Sequence, residues 1–148
     1  MITDDDMHQS LMNAAYNRWQ ASDKMSKEEF HDTLSPVERF AVHTGNFNYQ
    51  VCNGGFLQWW DNHYGTPAVV EFLLRACERI GTDTAKQVAG LLKRYNRAIG
   101  YVARNPHDNS EEAWDEMRDG LDGLDSAYYD INDQFLVDCE AHLKAGGI

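Results

Sequence analysis

Cysteine is scarce in this chain of 148 residues, which holds only Cys52, Cys77 and Cys139. The number is odd, the spacings are long and no Cys-x-x-Cys occurs. Neither a disulfide framework nor a cysteine-based zinc site is therefore expected, and the pattern fits a reducing cytoplasm. Long apolar runs are missing too, and no segment approaches the length of a membrane span. The opening Met1-Ile2-Thr3-Asp4-Asp5-Asp6 is acidic and has no apolar signal region. These absences predict a soluble, cytoplasmic protein that makes no membrane contact. No internal repeat, low-complexity tract or linker divides the chain. One domain over residues 1–148 is the expectation, long enough to bury a core without covalent staples.

Positive charge is in short supply. Lys and Arg total 13 against 24 Asp and Glu, for a net charge of −11. The imbalance is local: residues 36–105 hold eight bases and five acids, whereas residues 106–148 hold twelve acids and two bases. Such a balance disfavours direct binding to nucleic acid or anionic membranes. It suits solubility, or a partner that is itself basic.

Recognisable catalytic motifs are lacking as well. There is no Gly-x-Ser-x-Gly, no Walker loop and no Gly-x-Gly-x-x-Gly. No His-x-x-x-His occurs among the six histidines. No catalytic residue, cofactor or metal is assigned, and the protein is read as a non-enzyme. Cys52 reads as a buried structural thiol rather than a nucleophile.

What is present is a succession of helix signals and no sustained strand alternation. The fold class expected is all-α, with about six to eight helices. Asp4 to Asp6 can cap a first helix with Leu11, Met12, Ala15 and Trp19 along one side. Ser26-Lys27-Glu28-Glu29 and Ser35-Pro36-Val37-Glu38 both have capping-box spacing, the second with proline at the first helical position. That second helix is expected to reach about Asn53, and a short one to follow over 55–63. Thr66-Pro67 starts another, with Val70, Leu73, Leu74 and Cys77 inward and Gly81 as its stop. Thr82 or Asp83 caps a helix to about Ala103, striped by Val88, Leu91, Leu92, Tyr95 and Ile99. After the loop 105–110, Asn109 or Ser110 caps an acidic helix. A last helix spans roughly 126–144, with Tyr128, Ile131, Phe135 and Cys139 inward, before a frayed tail at 145–148.

The acidic helix is one functional candidate. At 100° per residue, Glu111, Glu112, Asp115, Glu116, Asp119, Asp122 and Asp125 share one half of the circumference of a helix over 111–125. Ala113, Trp114, Met117, Leu121 and Leu124 share the other. Seven carboxylates over about 22 Å give roughly one charge per 3 Å, close to the 3.4 Å spacing of phosphates along one DNA strand. A solvated surface face is the plainer reading of the same pattern. Gly120 and Gly123 weaken the second half and favour an early end.

The second candidate is the corner Asn53-Gly54-Gly55-Phe56-Leu57-Gln58-Trp59-Trp60. Paired glycines permit positive φ and a tight change of direction, and Phe56, Trp59 and Trp60 can anchor it in a core. His43 and His63 flank this corner and can converge, and Asn53 and Gln58 can line a polar site beside them. The polar stretch Thr44 to Tyr49 adds to the same region. The plainer role for these groups is to satisfy the backbone where two helices end. The aromatic-rich segment 56–64 is also the candidate dimer contact.

The corner also carries a likeness. Asn53-Gly54-Gly55-Phe56-x-Gln58-Trp59 resembles the signature of the DNA-mimic protein family, a bacterial helical family. Ala76-Cys77-Glu78-Arg79-Ile80-Gly81 and Leu124-Asp125-x-x-Tyr128-Tyr129 are similar to further family segments, so the resemblance covers roughly residues 36–140. Gln50 departs from it, standing where members often have an acid. The resemblance implies an all-α fold, often dimeric, with no established enzymatic activity. One characterised member is an acidic dimer that presents DNA-like charge to a helix-turn-helix transcription factor.

Three readings stand side by side. In the first, Glu112, Asp115, Glu116, Asp119 and Asp122 engage the basic surface of a DNA-binding or nuclease protein. In the second, His43, Asn53, Gln58 and His63 form a pocket for a small ligand or a reaction. In the third, the protein is structural and its acidity incidental.

Overall fold

The computed structural model describes residues 7–22 and 25–146, and eight helices are found there. They are α1 (Met7–Ala21), α2 (Lys27–Asp32), α3 (Pro36–Asp61), α4 (Pro67–Ile80), α5 (Asp83–Arg104), α6 (Glu111–Leu121), α7 (Leu124–Tyr129) and α8 (Asn132–Lys144). No strand occurs among the described residues, so the chain is all-α as its patterning predicts.

Helix starts follow local side-chain chemistry. Ser26 and Ser35 form complete capping boxes with Glu29 and Glu38. Thr66, Thr82 and Ser110 each accept a bond from the backbone N–H three residues on. These bonds satisfy donors that the first helical turn leaves without partners. The expected cap at Asp4 to Asp6 lies outside the described residues. α4 stops at Gly81, which has φ of 72°.

Two helices organise the rest. α3 packs against α1, α4, α6, α7 and α8, and α5 packs against α4, α6, α7 and α8. Their shared core is aromatic. Phe47 lies edge-on to Trp59 and Tyr128, with centroids at 4.8 and 4.9 Å, and Trp59 meets Tyr95 at 4.8 Å. The two core tyrosines keep their hydroxyls bonded, Tyr95 to the Gly65 carbonyl at 2.7 Å and Tyr128 to Asn48 Oδ1 at 2.7 Å. Such rings bury large area while their polar ends remain satisfied. A smaller cluster of Ala15, Phe30, Leu34 and Val42, joined by Trp19, fastens α1 and α2 to the start of α3.

α3 is interrupted at the glycine pair, as the corner predicts. Gly55 has φ of 81° and ψ of 178°, a conformation open essentially to glycine alone. The turn exposes the amide of Phe56, and Asp125 of α7 accepts a hydrogen bond from it at 2.9 Å. Beyond the break, Phe56 and Trp59 are fully buried. Those two rings are therefore part of the core and not of an exposed dimer patch.

The C-terminal third departs from the expected pattern in two respects. The acidic helix ends early, at Leu121, as Gly120 and Gly123 favour, and Asp122 and Gly123 turn the chain. Asp125 consequently faces the α3 break and not the outer acidic face. The last helix is divided into α7 and α8 by a turn at Asp130 and Ile131.

The Asp125 bond and the Gly55 conformation predict unequal losses. Asp125→Ala should cost about 1–3 kcal/mol, as expected for a buried amide deprived of a charged acceptor. Gly55→Ala should cost about 2–4 kcal/mol, because the new Cβ would be strained and lie 2.3 Å from Asp125 Oδ2. Urea unfolding midpoints check both, and equal stability of Gly55→Ala and wild type would refute the account.

Candidate functional site

Three surface features merit description: the acidic face of α6, the corner below α3, and a groove between α1 and α3.

α6 is held by Ala113, Met117 and Leu121, which are buried. Gly120 lets it lie close to α5, since a Cβ there would come within 2.8 Å of Ala98 Cβ. The opposite side carries Glu111, Glu112, Asp115, Glu116 and Asp119, all exposed. Their positions span nine residues, or about 12 Å of helix. Only Arg118 interrupts them, bonding Asp115 at 3.4 Å and lying over the Trp114 ring. Asp122 is exposed as well, but its φ of −57° and ψ of 133° take it off the helical row. The anionic row thus consists of five acids on α6, with Asp122 at its end. It is not uniform in sign across its border: Glu116 shares a shallow cleft with Arg94 and Arg97 of α5.

At the corner, sequence reasoning gathers His43, Asn53, Gln58 and His63. The structure joins two of them. Asn53 Nδ2 donates to Gln58 Oε1 at 3.4 Å, and Gln58 Nε2 donates to Gln50 Oε1 at 2.9 Å. Asn62 Nδ2 also donates to Gln50 Oε1, at 3.0 Å. The centre of this carboxamide network is Gln50, buried to 6% exposure. His43 lies elsewhere, edge-on to His31 and Phe72 with ring centroids at 5.0 and 4.9 Å. His63 is exposed in a left-handed turn after α3, where its carbonyl accepts from Lys27 Nζ at 2.9 Å. The two histidines do not converge, and no nucleophile stands beside either in a hydrogen-bonded pair among the described residues.

The cysteines complete the comparison. Cys77 and Cys139 are buried, and burial pushes the Cys77 thiol up to about 12. Cys52 is exposed, contrary to expectation, because residue 52 falls on the outer side of α3. Its thiol is also raised, by partial burial and then by the charge of Asp133, which makes it a poor nucleophile. No group of three or more His, Cys, Asp or Glu that could hold a metal ion occurs among the described residues. No helix among them is long and apolar enough to cross a membrane.

A concavity lies between α1 and α3. It encloses about 710 Å³ and is lined by Asn46, Tyr49, Gln50 and Asn53 on α3 and by Gln9 and Asn13 on α1. Of the residues grouped at the corner, only Asn53 reaches it. Sequence reasoning marks its α3 side through the polar stretch 44–49, but not its α1 wall, because pairing of distant helices leaves no local signal.

Comparison with known proteins gives one result. The family model described as DMP19-like protein matches residues 32–145, and the chain belongs to that family. No curated protein and no solved structure matches. The matched span starts within α2, so α1 precedes it.

His43 offers a test of the packing around it. Burial, then the charges of His31 and Arg39, lower its pKa to about 3 from an ordinary 6.5. Folded protein keeps it neutral while the unfolded chain takes up a proton below about pH 6.5. Its contribution is therefore complete above that pH and is lost progressively toward pH 3. This group alone sets a slope of at most about 1.4 kcal/mol per pH unit. In His43→Phe, the unfolding free energy should fall less steeply between pH 6.5 and 3 than in wild type. Parallel curves would show that His43 titrates normally.

Proposed function

We propose that this member of the DMP19-like family is a non-enzymatic interaction protein whose α6 face substitutes for a row of phosphates. The observation that carries the reading is the exposed row Glu111, Glu112, Asp115, Glu116 and Asp119 on one helix face. Five carboxylates over about 12 Å are spaced about 3 Å apart on average, against 3.4 Å for one DNA strand. The partner is a basic DNA-binding or nuclease protein, which uses Arg and Lys for charge-assisted bonds to these carboxylates. Glu112, Asp115, Glu116 and Asp119 are the principal contacts, and Asp122 extends the row past the helix end.

Two features support this reading. One is the resemblance to DNA-mimic proteins, together with membership of the family. The other is rigidity. Repulsion between like charges at i,i+4 costs a few tenths of a kcal/mol per pair. The buried contacts of Ala113, Met117 and Leu121, with the close Gly120–Ala98 approach, hold the helix against it. A charge row on a fixed element presents its spacing without an ordering cost at binding.

The test is a low-salt pull-down comparing wild type with a form in which Glu112, Asp115, Glu116 and Asp119 are all changed to Lys. Wild type should retain a basic DNA-binding or nuclease protein that the reversed form does not. Retention should fall steeply as salt rises from about 50 to 200 mM, because exposed ion pairs are screened. Equal retention by both forms, or salt-insensitive binding, would exclude the phosphate-row mechanism.

A further inference from the structure

The groove between α1 and α3 has no charged wall. A quarter of the chain is Asp, Glu, Lys or Arg, yet none of these lines it. Its polar groups are chiefly carboxamides and tyrosine hydroxyls. His8 adds an imidazole whose pKa is lowered by burial, against a smaller opposing effect of Glu140. The volume of about 710 Å³ falls within the range of roughly 300–1,000 Å³ typical of ligand sites.

The carboxamides are arranged in register. Asn46 and Gln50 stand at i,i+4 on α3, and Gln9 and Asn13 stand at i,i+4 on α1. Four helical residues advance about 6 Å. Two residues of an extended chain advance about 6.6 Å, after which its peptide groups point the same way again. Each wall therefore offers amide groups at nearly the repeat of an extended peptide. A carboxamide presents a donor and an acceptor in one plane, the complement of a peptide N–H and C=O.

Gln50 shows that the site has unused bonding capacity. Its oxygen is taken by Gln58 and Asn62, at 2.9 and 3.0 Å. Its amino group has no hydrogen-bond acceptor among the described residues and is open to solvent in the groove. Holding the oxygen on the far side orients the Nε2 donors. On α1, Gln9 Nε2 donates to Asn13 Oδ1 at 2.9 Å, leaving the Asn13 amino group available.

We propose that this groove binds an uncharged segment of polypeptide in extended conformation, held through its backbone by Asn46 and Gln50 on one side and Asn13 on the other. Tyr49, 62% exposed at the rim, packs on a side chain of the bound segment. A phosphorylated ligand is disfavoured because no Lys or Arg lines the groove. The site is separate from the α6 row and stands whether or not the phosphate-row reading holds.

The experiment follows the side-chain NH2 signals of ¹⁵N-labelled full-length protein. The probe is a pool of N-acetylated, C-amidated pentapeptides built from Gly, Ala, Ser, Asn, Val and Tyr. Parallel titrations use N,N′-diacetylchitobiose and adenosine. The expected result is that the peptide pool shifts the Asn13, Asn46 and Gln50 NH2 signals. The double variant Asn13→Ala with Asn46→Ala should bind at least about tenfold more weakly, since each loss removes a bond to the same backbone. Asn13→Ala alone, at an exposed position, serves as the readout should the double variant lose its fold, and it too must weaken binding. The proposal is overturned by absence of shifts at millimolar peptide, by shifts from the saccharide or nucleoside in place of peptide, or by unchanged affinity in the folded variant.

Discussion

The hydrogen bond from the Phe56 amide to Asp125 joins positions 69 residues apart and fixes the geometry of everything around it. α3 is too long to remain straight and still bury both its halves. The break at Gly55 turns its second half so that Phe56 and Trp59 enter the core beside Phe47, Tyr95 and Tyr128. A break of this kind leaves an amide without its helical partner, and a buried unpaired amide is costly. Asp125 supplies the missing acceptor from α7. The same contact requires the chain to turn after α6, because a helix continued through residue 125 would carry that carboxylate elsewhere.

The acidic face depends on this arrangement indirectly. By ending at Leu121, α6 keeps a short row of carboxylates, and the chain beyond it is drawn back to the core by Leu124, Asp125 and Tyr128. Mutual repulsion along the row is met by apolar contacts on the other side of the helix, chiefly to α5. Charge and packing are thus divided cleanly between the two sides of one element. The bordering arginines of α5 break the negative surface, since Arg94 and Arg97 line one cleft with Glu116.

The neutral groove is built from different means. Its α3 wall belongs to the segment matched by the family, whereas its α1 wall precedes that segment. α1 is secured by its own small aromatic cluster, in which Trp19 stacks on Phe30 with centroids at 4.6 Å. Gln50 links the groove to the corner, since the carboxamide network that holds its oxygen comes from Gln58 and Asn62 below the break. The break in α3 therefore shapes the floor of the groove as well as the core.

Much of the architecture was legible locally. Ser26, Ser35, Thr66, Thr82 and Ser110 announce helix starts because a capping hydrogen bond spans only three residues. The stripe from Val88 to Ile99 announces a buried face because helical periodicity is a property of one segment. The glycine pair announces a break, since only glycine accepts the backbone conformation found at Gly55. Other features had no local signal. Asp125 has the spacing of a surface acid and becomes a buried-amide acceptor only because α7 folds against α3. His43 and His63 are both near the corner in sequence, but α2 and α4 draw the first aside and the turn exposes the second. Cys52 was misplaced for the same reason, as helical phase relative to distant neighbours decides which side is covered. By itself, then, the sequence determined the all-α class, the helix starts, the break and the acidic side of α6, all of which rest on interactions within a few residues. The tertiary structure alone decided which carboxylate serves the core and which carboxamides face one another across a groove. Those outcomes depend on the mutual placement of helices far apart in the chain, which packing sets and short-range pattern does not encode.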